Sequence, residues 1–329
     1  MSHAPHPPSA TVDDCLIHLG HGDRTLVVSR LGAAVQEFRI ADRDIFQPTQ
    51  AGEAGAFSGA VLVPWPNRVA GGRYWFDGEE YRLAVNEPET GSALHGLAFA
   101  DLWHPADVGQ DFVLLHDEIG PVGGFPFQLA VSVRYSLGHP DSTDSDLTVE
   151  IAARNIGDRP CPFAAGFHPY LAAGTRDGGE PATVDECRLT VGVRRRFRLD
   201  SHQVPVGDEP FHALASGMTL AGRRLDDAFL SATPAADGFV HARLDRPDGY
   251  AIDLWAEPVF AYWQVYTGDK RPPALARRGV AVEPMTAAPN AFNNRLGLRV
   301  LAAGEEFKAR WGVRVGGILD LGANPANIC

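Results

Sequence analysis

Hydrophobic and polar residues alternate along much of this chain. Phe127, Leu129, Val131, Val133 and Tyr135 fall on one face, with Gln128, Ser132 and Arg134 on the other. Leu147, Val149 and Ile151 repeat the pattern against Thr148 and Glu150, and Phe307, Ala309, Trp311, Val313 and Val315 do so against Lys308, Arg310 and Arg314. Successive side chains of a strand point to opposite faces, so a period of two predicts half-buried antiparallel strands. Asp77-Gly78, between Tyr74-Trp75-Phe76 and Tyr81-Arg82-Leu83, predicts a hairpin turn, as does Asp248-Gly249, between His241 to Leu244 and Tyr250 to Trp255. No long amphipathic helix, fixed-period repeat or dividing linker stands out. The expectation is a single all-β domain of antiparallel sheets over residues 14–319, with tails at 1–13 and 320–329.

Composition narrows the function classes. The chain has 329 residues, of which 45% are hydrophobic, enough for a sizeable core. Its net charge of -12 argues against an electrostatic grip on nucleic acid or an anionic membrane. No apolar run approaches a membrane span, and Met1 to Thr11 lacks the basic-then-apolar order of a signal peptide. Cys15, Cys161, Cys187 and Cys329 are scattered, with no C-x-x-C pair and no histidine at zinc-ligand spacing. Free thiols, no metal and a cytoplasmic location are the expectations.

The candidate chemistry falls in segments that read as irregular: Pro64 to Ala70, Asn86 to Gly96, Gly166 to Glu186, Gly222 to Phe229 and Glu283 to Asn294. Long loops on a sheet scaffold are where function concentrates. Pro169 biases His168 towards extended backbone, which suits a rigid imidazole for proton transfer, although a packed structural histidine reads the same way. Glu283 follows the apolar run Gly279-Val280-Ala281-Val282 and precedes Pro284, so it is expected at the end of a buried strand. Partial desolvation there would raise its pKa towards the range of a general base. Asn67-Arg68 ends a stiff Pro-Trp-Pro loop, with a guanidinium suited to hydroxyls or a carboxylate or to an ordinary salt bridge. His95 is followed by Gly96, which would let a ligand approach the backbone, and Asp226-Asp227 sits in an apolar frame where only one carboxylate can face a given pocket.

Taken in order, these segments resemble the aldose 1-epimerase (galactose mutarotase) family. The resemblance rests on Pro64-Trp65-Pro66-Asn67-Arg68 with Gly72-Arg73-Tyr74, on Leu94-His95-Gly96-Leu97 with Trp103, and on Gly166-Phe167-His168-Pro169-Tyr170. It continues through Leu225-Asp226-Asp227-Ala228-Phe229, Val265-Tyr266-Thr267-Gly268 and Ala281-Val282-Glu283-Pro284, and so covers roughly residues 20–315. It implies a β-supersandwich of large antiparallel sheets and an enzyme that interconverts the α and β anomers of a free aldose. It further implies Glu283 as base, His168 as acid with His95 its rival, and Arg68, Asp226 and Asn67 as substrate-binding residues. No cofactor or metal is implied, the partner is a small-molecule sugar, and the assembly is a monomer or homodimer.

Asp227 stands where many galactose-directed members carry a histidine after the aspartate, so galactose does not follow from the resemblance. Two other classes remain open: a non-catalytic sugar-binding or sensor module, and an epimerase of a hexose 6-phosphate whose pocket would use Arg194 to Arg196. A glycosidase would need a second pocket carboxylate beside Glu283, for which Asp226 is the only candidate. Trp65 and Phe292 are candidates either for stacking on a sugar ring or for the core.

Overall fold

A computed structural model of the chain describes residues 11–12, 15–49, 57–139, 145–176, 178–231 and 234–318. The alternating stretches are strands. Leu129–Leu137 buries every second side chain, and it pairs antiparallel with Leu147–Asn155 with Val133 opposite Ile151. Leu147–Asn155 pairs in turn with Glu306–Gly317, setting Val149 opposite Trp311. Among the described residues these belong to a sheet of nine strands, and a second sheet contains thirteen.

The two sheets meet across a common core. Trp311 of the nine-stranded sheet packs on Phe46 and Phe167 of the other, at ring-centre distances of 6.5 and 5.3 Å. At one margin Arg24 donates from Nε and Nη2 to Asp146 Oδ1 at 2.9 and 2.5 Å, while Asp146 Oδ2 accepts the Val315 N–H at 2.7 Å. That buried ion pair ties an arginine of one sheet to the backbone of the other.

Both Asp-Gly pairs form the expected hairpins. Asp77 and Gly78 have φ of 51° and 81° and close a two-residue loop in which Phe76 faces Glu79, the geometry of a primed turn. At the other, residues 246–249 join Val240–Asp245 to Tyr250–Ala256, with Gly249 at φ 80°. Among the described residues, helix is confined to Ala291–Asn294 and three short 3-10 segments, and none is long and apolar enough to cross a membrane. Thr11 and Val12 pair with His18 and Ile17, so strand structure begins inside the stretch expected as a tail. Residues 1–10 and the expected tail at 320–329 lie outside the described residues. Cys161 and Cys187 are free thiols.

Three neighbouring strands of the larger sheet, Asp226–Ser231, Tyr262–Tyr266 and Gly279–Met285, build the floor of the candidate site. Phe229, Trp263, Val265, Val280 and Val282 point from them into the core. The alternate residues Asp226, Gln264, Tyr266 and Glu283 therefore share the opposite face, with the small Ala228 and Ala281 between them. This corrects the expectation that Asp226 and Glu283 lie in irregular segments: both are strand residues.

On the nine-stranded sheet, His241 is held between Asp253 (Nδ1 to Oδ1, 3.0 Å) and Asp237 (Nε2 to Oδ2, 3.0 Å). Burial opposes its charge, but the two carboxylates outweigh burial and raise its pKa. A raised folded pKa means that this stabilisation is full below the unfolded value, about 6.5, and fades as pH rises through the folded value. His241→Gln should therefore lower the thermal midpoint more at about pH 5.5 than at about pH 9. An equal loss at both, measured by thermal melting, would show that the ring acts only by packing.

Candidate active site

Glu283 is the fifth of seven residues in Gly279–Met285, all buried. It lies inside the strand rather than at its end, and only 1% of it is exposed. Its Oε1 is 3.3 Å from Nε2 of His168. Burial raises the Glu283 pKa well above the ordinary carboxylate value; the charge of Asp226 adds to this and that of Arg68 opposes it. Burial also pushes His168 down, to about 3. Among the described residues, Glu283 Oε2 and His168 Nδ1 have no hydrogen-bond partner, which leaves one unengaged polar atom on each side of the pair.

The rigidity expected of His168 from Pro169 has a larger source in tertiary contacts. Its N–H donates to Ala60 O at 3.2 Å, and its carbonyl accepts the Gly59 N–H at 2.8 Å. The ring lies against Tyr170 at 5.1 Å, nearly parallel, and meets His95 edge-on at 5.4 Å. Short strands Gly166–Phe167 and Tyr170–Ala172 flank it, in place of the irregular segment expected there.

Asn67 and His95 face each other in left-handed backbone, at φ of 56° and 64°. The His95 N–H donates to Asn67 O at 2.9 Å, and the Asn67 N–H donates to His95 Nδ1 at 3.2 Å. An Nδ1 that accepts places the proton of the neutral ring on Nε2, so His95 is a donor. Burial, with help from His168 and Arg68, lowers its pKa well below the usual value. Gly96 does not serve ligand approach: a Cβ there would lie 2.1 Å from Val63 O, so the glycine permits close passage of backbone. Left-handed backbone on two neighbouring non-glycine residues fits the tendency of strain to collect at functional sites.

Arg68 directs Nε and Nη2 at Glu87, at 2.6 and 2.7 Å, and thereby holds its guanidinium in one orientation. Asp226 is reached through Gln264. Gln264 Nε2 donates to Asp226 Oδ1 at 2.8 Å, and Asn67 Nδ2 donates to Gln264 Oε1 at 3.2 Å. The chain Asp226–Gln264–Asn67–His95 thus joins four segments that are distant in sequence. Gln264 and Glu87 escaped the sequence reading. Gln264 lies directly opposite Glu283 in the strand register, which is a signal that exists only once the register is known.

Asp227 points away from Asp226, towards Arg196 at 3.7 Å, as adjacent strand residues must. Trp65 and Phe292 are both core residues, packed on each other at 5.3 Å. Of the arginine run, Arg195 is paired with Asp208 and Arg196 with Glu209. A cleft of about 860 Å³ opens beside Asp226 and Tyr266 and is walled by Arg198, Lys270 and Arg277. Ligand atoms of His95, His168 and Glu283 all lie within 4.8 Å of one another, close enough for a transition-metal ion to draw them together. The same three groups, two donors or acceptors of a proton and one carboxylate, suffice for acid–base chemistry on a small polyhydroxylated ligand.

Comparison with known proteins agrees with the motif order. The sequence profile of the aldose 1-epimerase family matches residues 16–314. YihR of Escherichia coli K12 is 31% identical over 298 residues, covering 89% of this chain and 90% of the relative. The aldose 1-epimerase of the same organism is 28% identical over 185 residues, covering 55% of this chain and 50% of that enzyme. A GalM/aldose epimerase homologue from C. elegans superimposes with a TM-score of 0.78 at 17% identity, covering 92% of this chain and 99% of that one. A profile match across nearly all of the two-sheet fold decides the matter: this chain belongs to the aldose 1-epimerase family.

Proposed function

We propose that the protein is an aldose 1-epimerase that opens and recloses the ring of a free sugar. The observation that carries this reading is the buried His168–Glu283 contact of 3.3 Å, with an unengaged polar atom on each partner. Glu283 Oε2 takes the proton from the anomeric O1 hydroxyl, and the O1–H electron pair forms the C1=O1 double bond. The C1–O5 bond breaks, and O5 takes a proton from His168. Rotation about C1–C2 and the same steps in reverse close the other anomer. His95, a donor at Nε2, and Arg68 steady the negative charge on the departing oxygen, while Asp226 accepts from sugar hydroxyls, held in place by Gln264.

The pKa directions fit this cycle. Burial favours the neutral pair, a protonated Glu283 beside a neutral His168. Ring opening begins from the ion pair, carboxylate beside imidazolium, and ends at the neutral pair. A dry site therefore favours the direction of proton flow during opening. One proton shared by the pair serves both half-reactions.

Glu283→Gln and His168→Asn should each fold and lose activity by roughly 10²–10⁴-fold. NMR exchange or polarimetry across a panel of aldoses checks this. Wild-type rates in either variant would remove that residue from the mechanism, and folded protein that accelerates no aldose over buffer would overturn the whole reading. Saturable sugar binding without exchange would favour a binding module instead.

The pH profile supplies a second test. Activity requires one proton on the pair. The raised Glu283 pKa keeps that proton on beyond the ordinary carboxylate range, and the His168 pKa of about 3 keeps a second proton off until strongly acid pH. kcat/KM should therefore show no acid limb between about pH 5 and about pH 7. An acid limb centred near 6.5, the ordinary histidine value of about 6.5, would contradict it.

A further inference from the structure

Arg271 is a buried cation with no carboxylate partner among the described residues. It is 5% exposed and lies in the turn after strand Tyr262–Tyr266, where its N–H donates to Gly268 O at 3.3 Å. Nη1 donates to Gln47 Oε1 at 2.5 Å, and the guanidinium carbon stands 4.0 Å from the centre of the Tyr170 ring. Gln47 is itself fixed, its N–H donating to Tyr170 O at 2.8 Å and its Nε2 to Leu275 O at 3.3 Å. Among the described residues, Nε and Nη2 of Arg271 have no hydrogen-bond partner.

Those two atoms are the side-on fork with which arginine grips a planar or tetrahedral anion. Other arginines of this protein fill that fork with a carboxylate. Arg68 uses it on Glu87 at 2.6 and 2.7 Å, Arg176 on Glu186 at 2.8 and 2.8 Å, and Arg277 on Asp185 at 2.9 and 2.9 Å. Two unpaired N–H groups on a buried guanidinium cost free energy, and an anion gripped by the fork would recover it most fully. The phenols of Tyr170 and Tyr266 only partly offset the burial that lowers its pKa.

The position of Arg271 says which part of a sugar would meet it. Tyr170 packs against Arg271 and also lies nearly parallel to the His168 ring at 5.1 Å. In the mechanism proposed above, His168 serves the ring oxygen O5, whose neighbour C5 carries the exocyclic C6. We propose that Arg271 receives an anionic group on C6, so that the substrate class is an acidic hexose. This rests on the epimerase reading. Bound there, the anion neutralises a cation that disfavours protonated His168 and so assists the acid as well as holding the sugar. The sequence pointed to Arg194 to Arg196 as lining the pocket for such a group; Arg196 does line the cleft beside Asp226, but Arg195 and Arg196 are matched with carboxylates, whereas the Arg271 fork is open among the described residues.

The test compares anomer exchange, by NMR at equilibrium, for glucose, glucose 6-phosphate, glucose 6-sulfate and glucuronate. In the wild type at least one anionic hexose should exceed glucose in kcat/KM by about tenfold to a hundredfold, the range of a charge-assisted hydrogen-bond pair. Which one leads distinguishes a dianionic phosphate, a monoanionic sulfate and a planar carboxylate. Arg271→Met should lower kcat/KM for that hexose by at least about tenfold more than for glucose, and Arg271→Lys should restore part of the margin. Glucose matching or exceeding every anionic hexose in the wild type would overturn the assignment alone, even if Arg271→Met failed to fold. An equal loss for neutral and anionic sugars in Arg271→Met would reduce Arg271 to a structural role. Exchange of every sugar at the buffer rate would overturn the epimerase reading and this one together.

Discussion

The candidate site depends on one contact kept out of water: the Glu283 carboxyl 3.3 Å from the His168 imidazole, on a strand whose seven residues are all buried. An isolated charge at such a position destabilises a fold by several kcal/mol. The site avoids that penalty because each partner can be neutral, burial raising the pKa of one and lowering that of the other. The same burial makes the charged form of the pair reactive, since it relaxes by transferring a proton. Stability and chemistry therefore draw on a single fact, the absence of solvent around two titratable groups.

Holding that contact is the task of the larger sheet and of the segments that cross it. Strands Tyr262–Tyr266 and Gly279–Met285 put Trp263, Val265, Val280 and Val282 into the core, which fixes the register and forces Gln264 and Glu283 onto the other face together. His168 arrives from a different part of the chain and is clamped by the backbone of Gly59 and Ala60. His95 and Asn67 come from loops and hold each other in left-handed backbone. Gln264 then links Asn67 to Asp226, so the floor and the rim form one hydrogen-bonded unit. A displacement of any member is felt by the others, which suits a site whose donors must be preorganised.

Arginine plays two distinct parts around this unit. Arg68 is neutralised by Glu87, which holds its guanidinium in one orientation near Glu283. Arg271 has tyrosines for neighbours instead of a carboxylate, so its positive field is uncompensated on the His168 side. Electrostatically the site is therefore lopsided, with a satisfied cation at one end and an open one at the other.

The alternation at Leu129–Leu137, Leu147–Asn155 and Glu306–Gly317 determined the antiparallel class, because period two follows from strand geometry alone. The two Asp-Gly turns were legible for the same local reason. His168, Glu283, His95, Asn67, Arg68 and Asp226 could be picked out by residue type and motif order, and the structure brings them to one place. Their settings could not be read that way. Glu283 looked like a strand end because Pro284 follows it, yet the pairing with Tyr262–Tyr266 runs through Pro284 to Met285. Gly96 looked like a place for a ligand until Val63 O proved to occupy the space beside it. Gln264, Glu87 and Arg271 carry no local signal at all. A glutamine in an apolar strand, a glutamate in a loop and an arginine before a proline acquire meaning only from what lies across the register or the turn. Local physics chose strands, turns and chemically capable residues; desolvation, strand register and hydrogen-bond partners arise between distant segments, and only the tertiary structure could decide them.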